Sequence, residues 1–442
     1  MHRISGTIVS ILISVVVLLS ACGGSTPPAF NEEAMLFNAV LIPDQPDPTI
    51  LDREIIRQAL PALAEVSPAW ATAGDTAAAE LLTEDSPLTI KMVDRQDMVF
   101  PGLRYLVNFG VGLDQPDMLR CSTAPQAVQL FMRCPATDIP RLYPLFQAVT
   151  LAAAIRLNGY VFDENAKVIQ TPAAYARDLF SPVTSPLQAH VLLQHYPYEP
   201  GRFRIVTLGM AKFGAPEIEI RDYPPDKALV FKRLVAAAAR RLVRAGLAGE
   251  PFPAGLELTA AELQPAAETP LGEELPPAAD GLAVILREGR VEEGDPQSNV
   301  IRLAPPSTEP GDLAEWGRQI SRFIFGIDIE SVVWQGDLPS EAATAQATLP
   351  EIRQEFMTDP SAGGWYIRFR APTPDAGPAE ILVGQLEQWT EDDLGVLLLS
   401  EPRLAAAAGA GTRLAVSEAD VVDWIQVTPA GEVRGNYLKN LR

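Results

Sequence analysis

FRIVTLGMAKFGAPEIEIRDYPPDKALVFKRLVAAAARRLVR, residues 203–244, sets the two element types of this fold side by side. Phe203–Met210 and Glu217–Arg221 are short and rich in Ile, Val, Thr and Leu, as strands are. Pro224-Pro225 stops the second run, and Asp226 can cap the next element. Lys227–Arg244 then changes period: Val230, Leu234, Ala238 and Leu242 fall on one helical stripe. Two adjacent strands and a covering helix point to α+β, with mixed or antiparallel sheets and helices on one face. Between the strands, Gly209-Met210-Ala211-Lys212-Phe213-Gly214 lacks the G-x-x-x-x-G-K-[ST] order and opens no helix, so it is not a phosphate loop.

The same alternation extends towards the N-terminus. Ala189–Gln194 reads as a strand, and so does Ala34–Ile42. Asp52 opens a helix that Pro61 threatens to break. Leu88–Val99 and Leu103–Leu113 read as strands around Pro101-Gly102, with Ala127–Cys134 as a third. Pro140–Leu157 is an Ala-rich helix stopped by Asn158-Gly159, Tyr160–Gln170 a strand, and Pro172–Phe180 a short helix. Residues 34–250 form one α+β region on this reading, with a division near 182 as the alternative.

Towards the C-terminus the character shifts. Residues 251–280 hold six prolines, six acids and no lysine or arginine, which reads as an extended, self-repelling linker with room for a strand at Leu256–Leu258. Residues 281–340 come next as a small α+β segment: strands Gly281–Leu286 and Val300–Leu303, then a helix at Leu313–Phe325. From 341 to 442 the pattern is β-rich. A short helix at Pro350–Met357 precedes Trp365–Arg370, where apolar and polar residues alternate. Glu380–Trp389 and Leu394–Ser400 are further strands. Ser417-Glu418-Ala419-Asp420 has the spacing of a capping box, and Ile425–Val427 and Glu432–Tyr437 flank a Pro429-Ala430-Gly431 turn.

Leu394-Gly395-Val396-Leu397, Ser400-Glu401-Pro402, Val422-Asp423-Trp424 and the ending Gly431, Gly435, Asn436, Tyr437 resemble the bacterial family known as domain of unknown function 2314. The resemblance is confined to the C-terminal segment and says nothing about positions 30–330. It also departs from the family: Glu380-Ile381-Leu382-Val383 stands where the family tends to have Glu-His-Met-Trp, and Leu438-Lys439-Asn440 replaces a Thr-x-Arg ending. It brings no catalytic residues and implies a fold rather than an activity.

The first 21 residues read as an export signal. Arg3 is the positive flank, Ile8–Leu19 the apolar core, and Leu19-Ser20-Ala21-Cys22 resembles the lipobox of bacterial lipoproteins. Cys22 is then the lipid attachment site, with a second or third acyl chain needed for stable anchoring. Residues 22–33, with Gly23-Gly24-Ser25-Thr26-Pro27-Pro28, read as a tether. The expected location is the cell membrane or outer membrane, facing periplasm or extracellular space.

The formal charge is −21, and removing Arg3 with the signal makes it −22. Such a surface repels phosphate backbones, so nucleic acid is not an expected partner. The cationic side chains on the helix 227–244 read as a solvated face pairing with acids elsewhere, ahead of contact with anionic lipid. His190 and His195 are the histidines beyond the signal; their odd spacing on a strand would send them to opposite faces, so neither a metal site nor a Ser-His-Asp relay is expected. Cys121 and Cys134 would pair as a disulfide outside the cytoplasm, closing a loop of about a dozen residues and contributing roughly 3 kcal/mol. No cofactor is expected. Glu401, Asp423 and Trp424 are the candidate binding residues. The expected role is a non-catalytic envelope protein that binds another protein, a cell-wall component or a small ligand. The alternative is a carboxylate-dependent hydrolase, which needs Glu401 and Asp423 in one cleft.

Overall fold

The computed structural model describes residues 35–43, 52–63, 75–97, 101–177, 187–248, 250–264, 281–292, 295, 299–306, 313–371, 373, 378–390, 393–405 and 409–439. Cys22, the export segment, the tether and residues 265–280 of the expected linker lie outside them.

Strands β1 (Met35–Ile42), β2 (Leu88–Asp94), β3 (Gly110–Val111), β4 (Gln126–Cys134), β5 (Tyr160–Asp163) and β6 (Val168–Gln170) form the first sheet, in the order β2-β4-β1-β5-β6-β3. All of its pairings are antiparallel except β3 with β6. The pleat sorts its side chains. Phe37, Ala39 and Leu41 join Val128, Leu130, Met132 and Cys134 on one face, while Val40, Ile42 and Ala127 point to the other. Helices α1 (Leu103–Phe109), α2 (Gln115–Thr123) and α3 (Ile139–Arg156) pack about this sheet. The buried Ala148, Ala152, Ala153 and Ala154 of α3 let it lie close to the first face, where each fully buried Leu or Phe contributes about 1.5–3 kcal/mol. Leu106 and Cys121, from α1 and α2, cover the second face.

The second sheet holds β7 (Leu192–Glu199), β8 (Arg202–Leu208), β9 (Glu217–Tyr223), β10 (Gly255–Leu258), β11 (Leu282–Glu288) and β12 (Val300–Ala304), in the order β10-β11-β12-β9-β8-β7. One face packs Ile205, Ile218 and Ile220 with Val230, Leu234, Ala238 and Leu242 of α4 (Ala228–Ala248), so the apolar stripe of the opening sequence is the core. The helix α5 (Leu313–Phe325) joins this layer, with Trp316 against Phe231 at 5.5 Å between ring centroids. The opposite face is ionic: Arg204 and Glu219 are fully buried and paired at 2.8 Å, and Asp295 and Arg302 complete the network at 2.7 and 3.0 Å.

The third sheet takes β13 (Val332–Trp334), β14 (Gly364–Ala371), β15 (Ala379–Trp389), β16 (Asp393–Leu398), β17 (Arg413–Ser417), β18 (Val421–Val427) and β19 (Val433–Gly435). Its order is β17-β16-β15-β14-β18-β19, with β13 on β15, and α6 (Ser340–Thr358) covers it. The fold is α+β with mixed and antiparallel sheets.

Several expectations need correcting. Leu103–Leu113 is chiefly helix: Gly102 caps it, Gly110 donates its N–H to the Leu106 carbonyl, and Leu106 is buried while Leu103 and Val107 face outward. Its alternating apolar residues mimicked a strand, and the flanking glycines decided otherwise. The segment at 281–340 is not a separate unit. Val300–Arg302 pair in parallel with Glu217–Glu219, and β10, inside the expected linker, edges the same sheet. The helix expected at Pro350–Met357 begins at Ser340 and carries Pro350 in its interior. Ser417 caps a single tight turn over Glu418–Asp420. The bridge between Cys121 and Cys134 is not formed; both thiols are free and buried. Cys134 points to the α3 face of the first sheet and Cys121 lies in the layer on the other face, so the sheet stands between them. Burial pushes the Cys121 thiol up to about 12 and the Cys134 thiol to about 11, so both remain protonated at neutral pH.

Candidate functional site

Between the first and second sheets lies a cleft of about 720 Å³. Met92 and Val93 of β2, Phe109 of α1, Phe162 of β5, and Leu192 and Leu208 of β7 and β8 give it an apolar body. Alternation explains the sheet contributions: Leu192 and Gln194 on β7 share a face with Leu208 on β8, opposite the α4 side. A smaller hollow of about 270 Å³ adjoins it, sharing Phe109 and Leu192.

Lys91, Asp97, Gln129, Glu164, Lys167 and Gln194 add polar groups to the lining, and some of them are held in place. The Gln129 amide donates to Asn38 Oδ1 at 3.0 Å, and Asn38 Nδ2 donates to the Glu164 carboxylate at 2.9 Å. Tyr105 packs against Phe109, with ring centroids 4.6 Å apart and planes tilted by 43°, and donates its hydroxyl to the Lys167 carbonyl. Burial, with Glu164 and Asp163 nearby, holds that phenol well above its usual range and therefore neutral. Lys167 sits at φ 58°, and its ammonium lies 6.0 Å from the Phe162 ring.

In the smaller hollow, Asp163 accepts the Asn165 and Ala166 N–H groups at 2.9 Å and pairs with Lys212 at 2.5 Å. His190 lies before β7, 2 % exposed, with Nδ1 3.3 Å from the Tyr143 hydroxyl. Its Nε2 has no partner among the described residues. Burial, then the Lys212 charge, push the imidazole down to about 3, so it is neutral at physiological pH. His195 is remote from this group; it stacks on Phe203 at 5.0 Å, and burial with Lys232 pushes it down to about 4. The glycine-flanked turn 209–214 is filled from within: Glu217 is fully buried and accepts the N–H groups of Gly209 at 2.9 Å and Met210 at 3.0 Å. The anion-binding geometry exists, and a side chain of this chain occupies it.

The sequence-derived candidates lie elsewhere, on and beside the third sheet. Asp423 is fully buried, pairs with Arg368 at 2.7 Å, and accepts the N–H groups of Trp424, Tyr437 and Leu438. Trp424 donates its indole N–H to Thr348 at 2.8 Å. Glu401 accepts the Ala410 N–H at 2.9 Å. Asp423 and Trp424 are adjacent, but Glu401 and Asp423 line neither the cleft nor the hollow. All three residues tie backbone and core together. The cationic side chains of residues 227–244 pair only in part as a solvated face would: Lys227 is buried and binds Glu330, Arg241 binds Glu262, and Arg233 lies against the Phe325 ring at 5.0 Å.

Among the described residues no group of three His, Cys, Asp or Glu is placed to hold a metal ion, and no helix is long and apolar enough to cross a membrane. The cleft residues went unread because they come from five separated stretches. The local signal was Glu217-Ile218-Glu219-Ile220-Arg221, whose strict alternation marks a sheet with one apolar and one ionic face. No family model, curated protein or solved structure matches this chain.

Proposed function

We propose that this protein is a lipid-anchored envelope protein whose cleft holds a small amphipathic ligand with an apolar body, without transforming it. One observation carries the reading: a cleft of about 720 Å³ in which Met92, Val93, Phe109, Phe162, Leu192 and Leu208 are joined by the polar side chains of Lys91, Asp97, Gln129, Glu164, Lys167 and Gln194. Sites for small molecules have these dimensions, roughly 300–1,000 Å³, and this mixture of linings. The chemistry around it suits holding more than reacting. His190 and Tyr105 are neutral, Lys212 is engaged by Asp163, and neither free thiol lines the cleft. Anchoring rests on the lipobox-like Leu19-Ser20-Ala21-Cys22.

The test uses N-phenyl-1-naphthylamine, a neutral apolar fluorophore. Saturable binding at one per chain is expected, weakened by about tenfold or more in Gln194→Trp, which places a bulky ring into the cleft from an edge strand. Absence of saturable binding, or equal binding by the variant, would overturn the cleft. Anchoring is tested separately: Cys22→Ser should abolish fatty-acid labelling, and retained labelling would contradict it.

A further inference from the structure

We infer that a second cavity, where α5 meets the third sheet, is an anion site that takes a phosphate-bearing small molecule. It encloses about 890 Å³ and is independent of the cleft. Five cationic side chains line it, Arg318, Arg322, Arg368, Arg403 and Lys439, against three acids. That excess stands out on a chain of net charge −21.

Each of the three acids contacts a cation, although the buried Oδ1 of Asp328 has no hydrogen-bond partner among the described residues. Glu330 is held by Lys227 and Arg318, Glu315 by Arg318 at 2.8 Å, and Asp328 by Arg322 at 3.4 Å. The opposite wall is less satisfied. Arg403 is half exposed, and its one ion-pair partner among the described residues is Asp226, at 3.8 Å. Lys439 has no ion pair among the described residues.

Arg368 is the built element. Its Nη1 donates to Asp423 at 2.7 Å and to Asn436 at 2.8 Å, while Nε and Nη2 have no partner among the described residues. One side of the guanidinium is therefore clamped, and the other donors remain for a ligand at the cavity wall. A fixed planar fork suits two oxygens of a phosphate. The clamp also gives Asp423 a role. It gathers Arg368 and the turn Asn436–Leu438, with Asn436 held at φ 58° so that its amide reaches the guanidinium. Asp423 is thus a positioning residue for Arg368. Of the residues that carry the C-terminal resemblance, Asn436 lines this wall and Asp423 holds Arg368 from behind it.

The experiment is calorimetric titration of the full chain with inorganic pyrophosphate at low ionic strength. Saturable binding is expected, weakening as salt is added, and weakened by about tenfold or more in Arg403→Ala/Lys439→Ala. Both positions are peripheral to the core, so the variant should keep the melting temperature of the parent. Binding of N-phenyl-1-naphthylamine should also be unchanged, which separates failure here from failure of the cleft. A parallel arm uses vesicles of phosphatidylglycerol against phosphatidylcholine. Loss of pyrophosphate binding alone assigns a free phosphate compound, and loss of both assigns a lipid headgroup. Absence of pyrophosphate binding to the parent chain, or equal binding by the double variant, overturns the site.

Discussion

The two cavities are of similar size, about 720 and 890 Å³, and are built in opposite ways. The cleft is walled by core residues whose faces happen to be left uncovered: Phe162 and Leu208 are nearly buried and belong to sheet interiors. The cationic cavity is walled by long side chains over a small buried clamp. Each wall is fastened by a buried glutamate on backbone N–H groups. Glu217 holds the turn after Leu208; Glu380 accepts from Arg403, Leu404 and Ala405 at 2.7–2.8 Å. The same device gives opposite electrostatics. Burial pushes Glu217 up to about 7, whereas at Glu380 burial works upward but three backbone donors more than offset it and hold the carboxyl below its usual value. The difference between the cavities therefore lies in what their walls are made of, not in their size.

The contrast can be broken first at the clamp. Asp423→Ala strands Arg368 and three backbone donors, and should cost about 3–5 kcal/mol in urea unfolding. A loss below about 1 kcal/mol would mean the cationic wall does not depend on the clamp. In the cleft, Phe162→Ala should cost about 3 kcal/mol or more, because its ring is both core and lining. A near-neutral result would make the cleft a surface feature.

The glutamates sharpen the comparison through pH. Glu217 is raised above its unfolded value of 4.5. The unfolded chain therefore ionises first, and this contribution is complete below 4.5 and lost as pH rises to about 7. The loss is on the order of 3 kcal/mol. Glu217→Gln, whose amide can still accept from Gly209 and Met210, should not show that decline, so the parent-minus-variant difference should carry it. Glu380 has the reverse sign. Its contribution is present above 4.5 and lost as pH falls, so Glu380→Gln should flatten the acid limb. Equal slopes for parent and variant would refute the assignment in either case. The smallest effect belongs to Arg403→Ala, expected within about 0.5 kcal/mol of the parent in stability.

What the sequence disclosed depended on the range of the interaction. The α4 stripe Val230, Leu234, Ala238 and Leu242, the helix Leu313–Phe325 and the alternating Trp365–Arg370 were legible because periodicity is local. The parallel pairing of Val300 with Glu217 was not, since nothing in either strand specifies a partner more than eighty positions away. Cys121 and Cys134 misled for a related reason: proximity along the chain says nothing about which face of β4 each thiol meets. Asp423 was picked out by its motif, yet its purpose as the clamp on Arg368 needed the third sheet to bring β14, β18 and the turn after β19 together.

The cleft is the centre of this account, and fluorine NMR tests it most directly. 4-Fluorophenylalanine placed at position 162 should shift when N-phenyl-1-naphthylamine saturates the protein. The same label at position 356, in the core beside the third sheet, should stay where it is. An unmoved signal at 162, or equal shifts at both positions, would contradict ligand binding between the first two sheets.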